Sequence, residues 1–194
     1  MSSGSATHHE VSPVHGAGPT GLPTRLVTLD DAPVLAELLR PNRAFLAPWE
    51  PIRGDDYFTV EGQRKGICVA LEEHERGASL PHVIPDESGG IVGRITLNGI
   101  VRGALRSCAV GYWLSEAHTG RGLASAALRD IMQVAFGNLG LHRIQAETLI
   151  HNVASQRVLE RNGFVRFGLA PAYLNIAGEW QDHIMYQVLN SVPT

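Results

Sequence analysis

Two glycines separated by a single residue lie where an apolar, strand-like stretch gives way to a helical pattern, in the segment Thr119-Gly120-Arg121-Gly122-Leu123-Ala124. Glycine forms tight turns that other residues avoid, and small side chains leave the backbone open to close approach. The first N–H groups of the helix then point outward at one place, where the helix dipole attracts an anion and Arg121 and His118 add positive charge. We therefore predict a phosphate-binding site; the alternative is that the glycines serve only a tight strand-to-helix turn.

Two common phosphate-binding motifs do not fit this segment. A Walker loop ends in Gly-Lys-Ser/Thr, and the single lysine of the chain is Lys65, which excludes nucleoside triphosphate hydrolysis. A dinucleotide fingerprint requires Gly or Ala at the position of Ser125, within the first unit of a long parallel sheet. Here the glycines follow an antiparallel meander, and only one further parallel strand is expected.

The segment resembles the pyrophosphate loop of the GCN5-related N-acetyltransferases (GNAT), Arg/Gln-x-x-Gly-x-Gly/Ala. Gly122 and Ala124 match its small positions, and Thr119 departs from its Arg or Gln. The resemblance continues in four stretches: Asn42-Arg43 with Leu46 and Pro48-Trp49, Gly111-Tyr112-Trp113-Leu114, Asn152-x-x-Ser155-x-x-x-Leu159-x-x-x-Gly163-Phe164, and Gly178-x-Trp180-x-Asp182-His183. This set is similar to the Rim-type ribosomal-protein N-alpha-acetyltransferases and covers residues 24–190.

The resemblance implies an α/β fold with a mixed, mostly antiparallel sheet, a central parallel crossover and flanking helices. It implies an N-acetyltransferase that moves acetyl from acetyl-CoA to a primary amine, first of all a protein N-terminal α-amine, without a metal. Two alternatives stay open. In the first, the acceptor is a small-molecule amine such as an antibiotic, a polyamine or an amino acid. In the second, the chain is a non-catalytic acyl-CoA binding module.

The resemblance also implies how acetyl-CoA is held. Backbone N–H groups of residues 121–125 take the pyrophosphate, and a bulge in residues 110–114 exposes backbone that pairs with the pantetheine arm and polarises the thioester carbonyl. The expected cofactor-binding residues are Val110, Gly111, Tyr112, Trp113, Leu114, Thr119, Gly120, Arg121, Gly122, Leu123, Ala124, Ser125 and Asn152. For the side chains of Tyr112 and Trp113 we favour an ordinary place in the strand's core and surface.

The expected catalytic residues are Ser155, Glu147 and Glu179. With Asn152 as the N-cap, Ser155 falls in the first helical turn, where its hydroxyl reaches a leaving sulfur and acts as the acid; the alternative is a bond back to Asn152 within the cap. Glu147 in the crossover strand and Glu179 in the closing hairpin are the candidates for the base, as is His183. Each of the three is alternatively an ordinary surface or ion-paired group.

The acceptor is expected to contact Asn42, Trp49, Glu50 and His183. The turn that carries the first three resembles the acceptor-lining segment of the family. The alternative for Trp49 is a plug in the core.

Apolar periodicity and turn residues predict the strands and helices that position these groups. The predicted strands are residues 25–29, 80–84, 91–97, 107–114, 143–150, 165–169 and 182–189, with turns at 86–90 and at Asn98-Gly99. The first helix begins at Asp30 or Asp31 and ends at Pro41, and 42–51 forms an ordered turn. Further helices begin at Asp55, after Gly122 and at Asn152, and strand 143–150 runs parallel to strand 107–114.

Composition places this chain among single-domain globular proteins. Its 194 residues are 44% hydrophobic, and we expect a disordered tail over residues 1–23 and one acyltransferase domain over 24–194. A net charge of −3 excludes a strong nucleic-acid or membrane-surface footprint. Cys68 and Cys108 lack metal or disulfide spacing. With no signal peptide or membrane span in the pattern we expect a cytoplasmic protein, with a homodimer as one option for its assembly.

Overall fold

The computed structural model describes residues 23–190, so the tail predicted for 1–23 lies, apart from Pro23, outside the described residues, as do residues 191–194. The strands are β1 (Arg25–Leu26), β2 (Leu80–Pro85), β3 (Ile91–Val101), β4 (Ser107–Leu114), β5 (Arg143–Leu149), β6 (Val165–Ile176) and β7 (Glu179–Leu189). The helices are α1 (Ala32–Leu46), α2 (Val60–Glu75), α3 (Leu123–Gln133) and α4 (Val153–Arg161), with a π-helical turn at Val134–Asn138 and short 3-10 turns at Leu29–Asp31, Ala47–Trp49, Asp55–Phe58 and Glu116–His118.

The strands form one seven-stranded sheet in the order β1-β2-β3-β4-β5-β7-β6. Every neighbouring pair is antiparallel except β4 and β5, which are parallel and joined through α3. A parallel pair needs a long crossover connection, and the helix supplies it. The predicted fold class, a mostly antiparallel mixed sheet with one central parallel crossover, is therefore confirmed.

β4 and β5 pair only at their beginnings. Ser107 lies opposite Arg143 and Ala109 opposite Gln145. Beyond that point, residues 110–114 pair with β3, whereas β5 stays paired with β7 as far as Leu149. Within the described residues the sheet thus opens between the carboxyl-terminal halves of β4 and β5, and we call this opening the fork.

The bulge expected in residues 110–114 lies on the neighbouring strand instead. Those residues pair with β3 in unbroken register, and the extra residue sits on β3 between Asn98 and Val101, opposite Cys108. The turn predicted at Asn98-Gly99 is therefore wrong, because β3 continues to Val101. Gly99 has a φ of +59°, which suits a glycine at a bulge. The free backbone edge of β4 arises from strand divergence.

Two helices cover each face of the sheet. The α3/α4 face buries the larger core, which includes Leu128, Leu159 and Ile144. The α1/α2 face buries Leu35 and Ile67. Because side chains alternate along a strand, neighbouring residues of β4 enter different layers: Tyr112 packs with the α3/α4 core, and Trp113 contacts both clusters under α1 and α2.

α1 does not stop at Pro41, as the sequence predicted. It continues to Leu46 with the proline inside it. The buried face formed by Leu35, Leu39 and Leu46 extends past the proline at helical spacing, so packing outweighs the loss of one helical hydrogen bond. As a result, the residues expected in an open turn after Pro41 lie in the last turns of α1 and in the 3-10 turn Ala47–Trp49.

Two other boundaries differ from the prediction. Asp55 begins a 3-10 turn, and α2 is capped by Thr59, whose hydroxyl accepts a 3.0 Å hydrogen bond from the Gly62 N–H. The closing hairpin is longer than predicted, because β6 continues through an irregularity between Ala170 and Leu174. Pro171 is tolerated there because β6 is the edge strand of the sheet.

Replacing Pro41 with alanine tests the account of α1. The variant restores an N–H to the helix interior, so Pro41→Ala is expected to raise the free energy of unfolding by about 1 kcal/mol, less than the roughly 3 kcal/mol cost of an interior proline because the unfolded chain also gains freedom. Urea titration measures it. Pro33→Ala, in the first turn where proline is compatible, is the control and gives no gain; equal gains in both variants contradict the account.

Candidate active site

The loop between β4 and α3 has the backbone geometry expected of an anion site. Gly120 and Gly122 have φ values of +73° and +79°, which non-glycine residues rarely adopt. Gly122 is the N-cap of α3, and the N–H of Ala126 is bonded to its carbonyl at 3.0 Å. The preceding N–H groups of residues 123–125 precede the first i→i−4 bond of the helix. The first turn of α3 holds no acidic residue, although Asp86 and Glu87 line the adjacent pocket together with His118 and Arg121.

The stretch before these glycines is fixed by its own side chains. The Ser115 hydroxyl and the His118 Nδ1 lie 2.7 Å apart, and Thr119 donates its hydroxyl hydrogen to the Glu116 carbonyl at 2.8 Å. The Nε2 of His118 lies 4.0 Å from an Asp86 carboxylate oxygen. The Thr119 side chain therefore folds back onto the 3-10 turn. Thr119 stands where the family motif has Arg or Gln, and its hydrogen bond fixes the loop at this position.

Asn42 connects α1 to this loop. Its side-chain amide donates to the Leu38 carbonyl at 2.7 Å, and its side-chain oxygen accepts from the Glu116 N–H at 2.7 Å. Only 8% of its surface is exposed. The structure thus gives Asn42 a positioning task behind the loop, and its predicted contact with the acceptor stays a prediction.

Ser155 lies across the fork from β4, and the structure separates its two candidate tasks. Its backbone N–H donates to the side-chain oxygen of Asn152 at 3.1 Å, so Asn152 is the N-cap, as predicted. The Ser155 hydroxyl is not part of that cap. Its oxygen lies 2.9 Å from the hydroxyl oxygen of Tyr112.

The side chain of Tyr112 is therefore more than the ordinary strand residue that we favoured from the sequence. Burial raises the pKa of Tyr112 to about 12, so its phenol is protonated at neutral pH. The sequence offered no signal for this contact, because Tyr112 and Ser155 are 43 positions apart. Only the fold brings them together.

Ser125 and Trp113, both expected at the cofactor, have structural partners. The Ser125 hydroxyl accepts a 2.8 Å hydrogen bond from the side chain of Asn162, which ties the start of α3 to the end of α4. Trp113 packs under α1 and α2. The Ser125 hydroxyl keeps its own hydrogen to donate, and the predicted contacts of both residues with the donor stay predictions.

Glu147 projects from β5 toward the α1/α2 side of the fork. Successive side chains of a strand point to opposite faces. Ala146, the preceding residue, belongs to the α3/α4 core, so Glu147, which pairs with Met185 of β7, faces the other side. Burial raises the pKa of Glu147. Burial and the charge of Glu147 raise the pKa of Tyr173, and the Tyr173 ring lies 5.6 Å from the ring of His183. A carboxylate with increased basicity thus stands near Tyr173, whose ring in turn lies beside that of His183, and Tyr173 is a site residue that the sequence analysis missed.

His183 and Glu179 differ in position. His183 is 3% exposed, pairs with Leu149 at the end of β5, and places its Nδ1 2.9 Å from the Gln181 carbonyl oxygen. Glu179 is exposed and begins β7 opposite Ile176, four residues beyond that last pair. The structure thus brings His183 to the fork and places Glu179 near the hairpin turn.

The predicted acceptor-lining turn lies beside the fork and the hairpin. The Trp49 ring is 5.5 Å from the ring of His151, and 38% of its surface is exposed, so Trp49 is not a core plug. The Glu50 carbonyl accepts a 3.0 Å hydrogen bond from the Ala177 N–H. Burial raises the pKa of Glu50, and Arg53 partly offsets this. Glu50, Arg53 and Ala177 border a pocket of about 240 Å³. Its lining residues are Arg43, Ala47, Glu50, Pro51, Ile52, Arg53, Phe58 and Ala177.

Comparison with known protein families assigns this architecture. A family model described as an acetyltransferase (GNAT) domain matches residues 23–165. The chain belongs to the GNAT acetyltransferase family. The fold, the family resemblance and the enzyme class predicted from the sequence, an acetyl-CoA-dependent N-acetyltransferase, are thereby confirmed.

Individual relatives cover most of this GNAT chain. The Probable N-acetyltransferase YjcK of Bacillus subtilis is 39% identical over 86% of the chain and 92% of its own length. The [Ribosomal protein uS5]-alanine N-acetyltransferase of Escherichia coli is 34% identical over 84% of the chain and 85% of its own length. A solved structure of Mycobacterium smegmatis RimJ, in complex with CoA-disulfide, superposes with a TM-score of 0.82 at 34% identity and covers 86% of this chain and 80% of that one.

These relatives support the similarity to the Rim-type branch that the sequence motifs indicated. Between residues 23 and 190, no helix has the length and apolar character needed to cross a bilayer.

Substituting Gly122 tests the loop. A valine there brings a branched side chain to a position with a φ of +79° and crowds the adjacent N–H groups, so Gly122→Val should raise the KM for acetyl-CoA at least about tenfold, equivalent to roughly 1.4 kcal/mol of binding. Steady-state kinetics with varied acetyl-CoA measures this effect.

Gly140→Val is the matched control for backbone strain. Gly140 also has a positive φ, +62°, and nothing lies within 4 Å of an added Cβ, but it follows the far end of α3. It should lose stability without a change in KM. A similar rise in KM for both variants contradicts the assignment of this loop to the acetyl-CoA site.

Proposed function

We propose that this protein transfers the acetyl group of acetyl-CoA to the N-terminal α-amine of a ribosomal protein, with a terminal alanine of uS5 as the first candidate. The observation that carries the proposal is the fork, which opens a path from the N-terminus of α3 to the Ser155 hydroxyl on one face and the Glu147 carboxyl on the other. The alanine of uS5 is the acceptor given in the name of the Escherichia coli relative.

The donor end fits the groups present. The pyrophosphate would be held by the N–H groups of residues 121–125 at the positive end of the α3 dipole. The first helical turn there holds no acidic residue, and Arg121 and His118 line the neighbouring pocket together with Asp86 and Glu87. Pantetheine amides would pair with the edge of residues 110–114 that β5 leaves open. The backbone N–H groups of that edge are the donors available to the thioester carbonyl.

The acetyl transfer needs few special groups. The lone pair of the amine attacks the thioester carbon, and the carbonyl pair moves to oxygen. That pair then re-forms the C=O bond of the amide as the C–S bond breaks with its electron pair on sulfur. Glu147 takes the proton released by the attacking nitrogen. Ser155 donates a hydrogen bond to the departing sulfur, and the α4 dipole stabilises the negative charge there.

The acceptor would enter from the α1/α2 side. Trp49, Glu50, His183 and Tyr173 border that side of the fork. A terminal α-amine has an ordinary pKa of about 7.7–8.0, so a carboxylate whose pKa is raised by burial is a sufficient base. Because ribosomal proteins are made in the cytoplasm, we place the reaction there; the homodimer stays a prediction.

A panel of acceptors tests the function. Purified protein is incubated with acetyl-CoA and with peptides that begin with alanine, serine or lysine, beside polyamines, aminoglycosides and free amino acids, and thiol release is followed. The proposal expects turnover with the alanine peptide of uS5 and none with its Nα-acetylated copy. Preference for a small amine contradicts the proposed protein acceptor and supports a small-molecule acetyltransferase. Binding of acetyl-CoA without any turnover supports the binding-module alternative.

Ser155→Ala should lower kcat about tenfold or more and leave the KM for acetyl-CoA nearly unchanged, because the hydroxyl acts on the leaving sulfur and not on the bound donor. Ser155→Thr keeps a hydroxyl and an N-terminal helix position, and serves as the control that retains most of kcat. Equal kcat values for wild type and Ser155→Ala contradict a catalytic role of the hydroxyl and leave Ser155 only its backbone bond to the Asn152 cap.

Glu147→Gln should change the pH dependence of kcat/KM. Below its raised pKa the Glu147 carboxyl is protonated and cannot accept the proton of the amine, so wild-type activity rises with pH through that pKa. The amide should lower kcat/KM about 100-fold and leave only the ionisation of the amine in the profile. Glu179→Gln is the comparison, and a larger loss there assigns the base to the hairpin.

A further inference from the structure

Tyr112 and Ser155 form the side-chain contact that crosses the fork on the α3/α4 face. Tyr112 lies on β4, past the last residue pair that β4 shares with β5, and Ser155 lies in the first turn of α4. The Tyr112 hydroxyl oxygen is 2.9 Å from the Ser155 hydroxyl oxygen and 3.3 Å from the Ser155 carbonyl oxygen. This contact adds to the proposed function and rests on it.

The direction of this hydrogen bond decides what Ser155 can do. A serine hydroxyl has one hydrogen. If Ser155 donates to Tyr112, that hydrogen points away from the leaving sulfur. If Tyr112 donates to Ser155, the serine hydrogen stays available for the sulfur, and the serine oxygen is polarised by the phenol.

The acidities of the two hydroxyls favour Tyr112 as the donor. A phenol is a stronger acid than an alkyl alcohol, so it is the better donor, and the alcohol is the better acceptor. Because the Ser155 carbonyl oxygen can only accept, Tyr112 is also the donor in the 3.3 Å contact, and the shorter distance of 2.9 Å makes the Ser155 hydroxyl the closer acceptor for the phenol hydrogen. Burial keeps the phenol protonated, since the pKa of Tyr112 is raised to about 12.

We propose that Tyr112 is a positioning residue for the transfer step: its hydroxyl donates to Ser155 and aims the Ser155 hydrogen at the departing sulfur. No proton leaves Tyr112. The electron pair of the broken C–S bond stays on sulfur, and the Ser155 hydroxyl stabilises it through a hydrogen bond. A thiol has an ordinary pKa of about 8.5, so solvent can supply the final proton.

A double-mutant cycle tests this role. Tyr112→Phe removes only the hydroxyl and should lower kcat about three- to tenfold, the range of one hydrogen bond, with the KM and Kd for acetyl-CoA unchanged. In the Ser155→Ala background, Tyr112→Phe should have no further effect on kcat, because Tyr112 acts through Ser155. A purely structural tyrosine would lower activity equally in both backgrounds.

Tyr186→Phe is the matched control. Tyr186 is also a β-strand tyrosine on the α3/α4 face with its hydroxyl bonded to α4, at 3.1 Å from the Glu160 carboxylate, but it lies outside the proposed machinery. It should leave kcat unchanged. Thermal melting and calorimetric titration with CoA establish for each variant that folding and donor binding are intact.

The outcomes separate the two proposals. No turnover by wild type with any acceptor overturns the proposed function, and the role of Tyr112 with it. Turnover by wild type that Ser155→Ala leaves unchanged overturns the role of Ser155 and again that of Tyr112. If Ser155→Ala is slow, an unchanged kcat for Tyr112→Phe, or equal losses in both backgrounds, overturns the role of Tyr112 alone.

Discussion

The early divergence of β4 and β5 is the constraint on which the site depends. Backbone N–H and C=O groups at a strand edge need hydrogen-bond partners, and residues 110–114 have them only on the β3 side. β5 cannot close the gap, because it stays registered with β7 up to Leu149. The sheet therefore presents an internal edge at its centre, directly before the helix whose N-terminus attracts an anion.

The same divergence places the candidate catalytic groups on two faces of the sheet. Side chains of β4 and β5 alternate between the faces, so Tyr112 contacts Ser155 on the α3/α4 face. On the other face, burial and the charge of Glu147 raise the pKa of Tyr173, whose ring lies 5.6 Å from that of His183. In the proposed mechanism, one face holds the groups for the leaving sulfur and the opposite face holds the base. A substrate pair that meets in the fork is approached from both sides without competition for one pocket.

Features encoded locally in the sequence were predictable. The two glycines before α3, the cap at Asn152 and the hairpin of β2 and β3 each depend on residues within a few positions of one another. The ends of α1 and β3 were not predictable in this way. Pro41 and Gly99 usually interrupt elements, but buried side chains beyond Pro41 and a bulge at Gly99 extend them.

The sequence by itself determined the chemistry that the chain carries: a glycine-marked helix start for an anion, a serine behind a cap, and acidic residues on and after the crossover strand. Only the tertiary structure decided which of these groups act together. It places the Ser155 hydroxyl against that of Tyr112 and bonds the Asn42 side chain to the Glu116 N–H of the loop. It also places Glu147 in the fork and Glu179 near the exposed hairpin turn. The physical reason is that such contacts depend on strand divergence and on the facing of side chains across distant segments, which local patterns of residues do not encode.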